Sequence, residues 1–177
     1  MARTRIAGLL IMALVLAGGL AFAQCSSASH SIKLRVIGVS TLALTDTGPI
    51  VLNLYVSADG STPRGEVDMS KGLKYTVINS PGKTSRIRVG LIGAMPRGTV
   101  LRVEAVSSRP EIGTSVLGGI AVGGEEQDII TNIPSCFTDR FAPGGVALRY
   151  SFEATQPHDL DIGASAEVIV RYTITEG

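Results

Sequence analysis

The run Asn79-Ser80-Pro81-Gly82-Lys83-Thr84-Ser85 contains Gly-Lys-Thr, residue types that in the right setting cradle a nucleotide phosphate. That setting is demanding. A second glycine must stand five residues before the Gly-Lys glycine, a strand must lead in, and a helix must lead out so that its free N–H groups hold the anion. Here the position five residues before Gly82 is Val77, and Ser85-Arg86-Ile87-Arg88-Val89 alternates with β-branched residues, the habit of a strand. Asn79-Ser80-Pro81-Gly82 reads instead as a hairpin turn. Proline fixes φ at one corner and glycine accepts positive φ at the next, as a type II turn requires. The turn is expected to join a strand at Leu73 to one at Arg86, and no nucleotide site is expected.

The remaining candidate chemistry is sparse. His30 lies among serines and His158 lies in Gln156-Pro157-His158-Asp159, and neither has the partner spacing of a zinc or copper motif. Asp159, Asp161, Glu125, Glu126 and Asp128 offer oxygens, but no complete loop supplies the six to eight that calcium takes. They read as solvated surface. No Gly-x-Ser-x-Gly occurs, and a nucleophile at Cys136 would have His158 as its base in the folded body. No catalytic, cofactor-binding or metal site is expected. The chain has no tryptophan, 4 tyrosines and 4 phenylalanines, a poor supply of the aromatic platforms that sugars stack on. Arg86, Arg88, Arg102 and Glu104 are expected on a wet sheet face, either as cross-strand pairs or as an anion-binding platform.

The amino-terminal stretch sets the compartment. Arg3 and Arg5 precede an uncharged apolar run from Ile6 to Phe22, and Ala21-Phe22-Ala23 offers the small-x-small pattern of signal peptidase. A cleaved signal peptide is expected. A membrane anchor of roughly 17 residues is the rival, and a lipid anchor at Cys25 is disfavoured by the bulky Gln24 before it. Loss of Arg3 and Arg5 takes the formal charge from +1 to about −1, which argues against a nucleic-acid binder or a binder of anionic membranes. The mature chain contains no second long apolar segment, so no integral span is expected there. Cys25 and Cys136 then meet an oxidising compartment, where a disulfide between them is the simplest use of two thiols. Free thiols and pairing between molecules remain open. The bridge would close a loop of roughly 111 residues, worth on the order of 4–5 kcal/mol in the chain-entropy model.

Elements that could position these groups alternate with a period of two rather than turning helically. Ile32, Leu34 and Val36 share a face, and a bulge at Gly38 carries the segment on to Leu42 and Leu44. Further strands are expected at Ile50 to Val56, Leu73 to Val77, Ser85 to Leu91, Thr99 to Val106, Ile129 to Ile133, Val146 to Phe152 and Ala166 to Ile174. Residues from Pro110 to Gly124 read either as a weak strand pair around Val116 to Val122 or as a loop. The expected fold is all-β, a single immunoglobulin-like antiparallel β-sandwich over residues 32–177, after a signal peptide (1–23) and a short flexible leader (24–31).

The segment from His30 to Leu44, together with Asp161-Ile162-Gly163 and the alternating stretch from Ala164 to Thr175 with its late Tyr172, resembles secreted bacterial fimbrial or pilin-like β-sandwich subunits. The cysteines depart from that pattern: the usual pilin disulfide links two early strands, whereas Cys25 precedes the first strand and Cys136 lies late. The resemblance implies a non-enzymatic extracytoplasmic subunit, in the periplasm, at the cell surface or released. Its edge strands would meet other protein chains or further copies of itself. A secreted module binding a small ligand or glycan is the alternative.

Overall fold

Alternation places one row of large aliphatics on the inner face of each long strand, and those rows meet in a single core. The computed structural model describes residues 31–34, 40–55 and 61–177. The chain divides into Met1–Arg35 and Val36–Gly177. Within the first unit the four described residues are exposed and form no strand, Ile32 at 70% and Leu34 at 88%. The half-buried strand expected at Ile32 to Val36 is therefore not formed over 31–34. The remainder of that segment lies outside the described residues, as do the signal peptide and nearly all of the leader.

In chain order the strands of the second unit are β1 (Ser40–Leu44), β2 (Leu54–Tyr55), β3 (Arg64–Gly65), β4 (Val67–Asp68), β5 (Gly72–Val77), β6 (Ser85–Ile92) and β7 (Thr99–Val106). They continue with β8 (Thr114–Ser115), β9 (Ile120–Ala121), β10 (Gln127–Ile133), β11 (Cys136–Phe137), β12 (Val146–Ala154) and β13 (Ile169–Glu176). A short helix, Thr138–Phe141, follows β11. One sheet runs β1-β5-β12-β7-β9, with β4 added to β12 and β11 to β5, and the other runs β13-β6-β10-β8. Pairings are antiparallel, so the fold is all-β as expected.

Leu73, Tyr75 and Val77 of β5, Val103 of β7 and Leu148 of β12 face Ile87 and Val89 of β6 and Ile130 and Ile133 of β10 in one buried cluster. The hydroxyls of Tyr150 on β12 and Tyr172 on β13 meet at 2.8 Å, a polar stitch between the two sheets. Burial raises the pKa of both tyrosines, further for Tyr172, whose hydroxyl also faces Tyr150. Both therefore stay protonated far into the alkaline range.

Two connections differ from the expected hairpins. The turn after β5 forms, with Lys83 N–H donating to Ser80 O at 3.0 Å and Gly82 at φ 76°, so its corners are Pro81 and Gly82. Yet β5 and β6 lie in different sheets, and the turn is a crossover rather than a hairpin. The doubtful stretch from Pro110 to Gly124 holds β8 and β9, which pair with β10 and β7 rather than with each other.

The middle of β5 is closed by a side chain. Strand β12 pairs with β5 at Leu73 and β11 pairs with it at Thr76 and Val77, which leaves Tyr75 between them without a ladder partner on that side. The buried Thr138 fills the gap: its Oγ1 accepts from Tyr75 N–H at 2.9 Å and donates to Tyr75 O at 3.1 Å. A single hydroxyl thus does the work of a missing strand residue.

Candidate functional site

The phosphate-like run has no helix behind it. Ser85 opens β6 and its hydroxyl donates to Asn79 Oδ1 at 2.6 Å, while Asn79 Nδ2 donates to Ile133 O. These bonds fasten the crossover to β10. Lys83 and Thr84 sit on an exposed turn, without the row of helix N–H groups that phosphate would need.

The charged residues expected on one wet face occupy two. Arg86 and Arg88 lie on β6, whereas Arg102 and Glu104 lie on β7 in the opposite sheet. On the first face Glu126 is the hub. Its carboxylate takes Arg171 at 3.0 Å, Thr173 Oγ1 at 3.0 Å and Arg88 at 3.7 Å, and its backbone oxygen accepts from Arg88 at 2.6 Å. Asp128 pairs with Arg86 at 3.5 Å and with Arg88 at 3.4 Å. On the second face Arg102 meets Glu153 at 3.0 Å and Arg149 meets Glu104 at 3.6 Å around a polar hollow of about 80 Å³. Carboxylates answer these arginines on both faces, so cross-strand pairing accounts for them better than an anion platform. The oxygens of Glu126 and Asp128, candidates for calcium in the sequence, are engaged by guanidinium groups.

His158 lies in the turn Pro157–Asp159 beside a shallow groove of about 620 Å³ that Arg97, Gly98, Gln156, Asp159, Leu160 and Asp161 also line. Its Nε2 is 3.6 Å from Asp159 Oδ1, and its side chain is 78% exposed. Histidine and carboxylates are neighbours in one solvated turn. Cys136 does not line this groove. It sits on β11 against Val77, 5% exposed, and burial pushes its thiol pKa up. The thiol is thus held away from the thiolate form that a nucleophile needs. Cys25 and His30 lie outside the described residues. Among the described residues no three His, Cys, Asp or Glu side chains converge in a metal-holding cluster, and no helix is long and apolar enough to cross a membrane.

No protein-family model and no curated protein matches this chain. The remaining structural candidates are the sheet edges.

Strand β13 ends its sheet and pairs with β6 alone among the described residues. It spans eight residues, Ile169–Glu176, without proline or glycine. Its outward side chains begin with Ile169, 61% exposed, which lies opposite Ile92 of β6, itself 49% exposed. In the other sheet the second half of β12, beyond its pairing with β5, is covered. Ribbon β2–β3 and strand β4 lie along β12, held by Glu66, whose carboxylate accepts from Asn53 N–H and Nδ2 and from the Tyr55 hydroxyl. Those donors hold the Glu66 pKa below the usual carboxylate range. Gly65 approaches so closely that a Cβ there would lie 1.3 Å from Phe152 O. The stretch from 61 to 71 lacks alternation and was legible only as a polar connection. Its docking depends on that glycine and on one carboxylate.

Proposed function

We propose that the chain is a non-enzymatic, extracytoplasmic structural subunit that works by meeting other protein chains along its sheet edges. The observation that carries this reading is β13, an eight-residue edge with one paired side among the described residues and none of the prolines or bulges that blunt natural edges. Such an edge presents N–H and C=O groups to an incoming strand, and added strands are a recurrent mode of protein recognition. The mutually paired charges on both sheet faces and the solvated setting of His158 support a role in assembly over one in catalysis.

In this reading residues 1–23 direct export and are removed, and Cys25 then bridges Cys136. The burial of Cys136 supports a bridge within one molecule over one between molecules. The fimbrial or pilin-like likeness, carried by His30 to Leu44 and by Asp161-Ile162-Gly163 with Ala164 to Thr175, supports this reading in its closing segment, where Ile169 to Thr175, including Tyr172, fall on β13.

Static light scattering of the purified chain over a wide concentration range tests the proposal. The weight-average mass is expected to rise with concentration. A mass fixed at that of the monomer throughout contradicts it.

A further inference from the structure

A partner and a register for β13 can be drawn from its side chains, and both rest on the proposal that chains meet at this edge. Side chains along β13 alternate: Ile169, Arg171 and Thr173 point to the outer face, while Val170, Tyr172 and Ile174 pack against the core. The alternation extends before the strand, since Glu167 is exposed, Val168 is half-buried, and both lie against Gly93 beyond the end of β6. The extended course therefore runs from Glu167 through Arg171. Strand β1 approaches β13 but not at this end. Ser40 pairs with Val77 and Glu176 pairs with Ser85, on either side of the crossover, so β1 neighbours the Glu176 end and Ile169 lies at the other.

Antiparallel self-pairing about a two-fold axis requires residues i and j whose numbers sum to a constant, and an even constant keeps outer faces together. With the axis at Ile169, Glu167 of each copy falls opposite Arg171 of the other, and Val168 opposite Val170. Glu167 has no ion pair among the described residues, and Arg171, 57% exposed, reaches Glu126 with a guanidinium that still has free donors. Ile169 would face its counterpart with Ile92 of each copy beside it, making one apolar row of four side chains across a continuous sheet. Opposite charges at the flanks and an apolar centre make this stretch complementary to itself.

We propose that two copies of this chain pair antiparallel along the edge of β13 that no described strand covers, with Ile169 facing Ile169 on the two-fold axis and reciprocal Glu167–Arg171 pairs on either side.

The axis makes a specific demand on a cysteine at position 169. Directly opposed residues in an antiparallel pair lie about 4.5–5.5 Å apart at Cα, within the span of a disulfide. Ile169→Cys chains, mildly oxidised, are expected to give a reducible dimer in roughly tenfold excess over unsubstituted chain and over Ile162→Cys, a control that is more accessible still, at 88% exposed. In sedimentation, Glu167→Lys and Ile169→Lys, both exposed substitutions that leave the core intact, are expected to weaken association by roughly tenfold or more. If the unsubstituted chain associates but both lysine variants associate equally well and Ile169→Cys gives no excess dimer, this register is overturned while the assembly reading stands. A chain that stays monomeric throughout overturns both.

Discussion

Removing the hydroxyl of Thr138 while keeping its shape separates the plugging of β5 from ordinary packing. In Thr138→Val the N–H and C=O of Tyr75 lose the oxygen at 2.9 and 3.1 Å, and Tyr75 is buried at 3% exposure. Each orphaned buried backbone group costs about 1–3 kcal/mol, and the extra methyl returns somewhat under about 1 kcal/mol. The expected net loss is about 2–4 kcal/mol, a large share of the 5–15 kcal/mol typical of a domain. In thermal terms it corresponds to roughly 5–15 °C. Chemical denaturation is the assay, with Thr138→Ser as the companion. Serine keeps the hydroxyl and loses one methyl, so it should cost about 1 kcal/mol. Valine within about 0.5 kcal/mol of the parent, or serine as damaging as valine, would refute the idea that this hydroxyl closes the sheet.

Gly65→Ala should cost about 3 kcal/mol or more, because its Cβ would fall 1.3 Å from Phe152 O; hydrogen exchange should show amides of β3 and β4 losing protection first. Ser115 points the other way. Its hydroxyl is buried with no hydrogen-bond partner among the described residues, so Ser115→Ala should stabilise by about 1 kcal/mol, read as a higher denaturant midpoint. At alkaline pH, unfolded tyrosines ionise near about 10, while Tyr75, Tyr150 and Tyr172 are held protonated chiefly by burial. Their stabilising effect is complete below that pH and lost as pH rises beyond it, so unfolding and phenolate absorbance should appear together, and Tyr172→Phe should flatten the fall. The acid side is governed differently. Lys71 and then Gly48 N–H, by hydrogen bonding, lower the Asp46 pKa, so this contribution is present above the ordinary carboxylate range and is lost as pH falls through it; Asp46→Asn should remove that part of the acid limb.

The long strands were legible because burial on one face leaves a period of two in the residues themselves. Thr99–Val106 has the bounds that its alternation of Leu101, Val103 and Ala105 with Arg102 and Glu104 implies. Pairing was not legible in the same way. Alternation at Ile32 and Leu34 says which side would be buried, but not whether a neighbour exists to bury it. Pro81-Gly82 specifies a reversal of the chain but not the sheet that the next strand joins. Two-residue strands such as β8, β9 and β11 carry too few residues for any period, and long-range pairing alone defines them. Thr138 left no signal because a threonine after Phe137 looks like any strand or loop residue until Tyr75 is seen to need it. The candidate site followed the same division. The failure of the phosphate motif could be read from Val77 and the alternation after Thr84, whereas Glu126 as the hub of three partners required the register of β13 on β6.

Amide hydrogen exchange at low and high protein concentration tests most directly the claim that this chain acts through a sheet edge. Protection gained on association is expected at backbone amides from Glu167 to Thr173, with the groove around Arg97 and His158 unchanged. Protection gained in that groove or on the outer face around Arg102 and Glu153, with β13 unaltered, would contradict it.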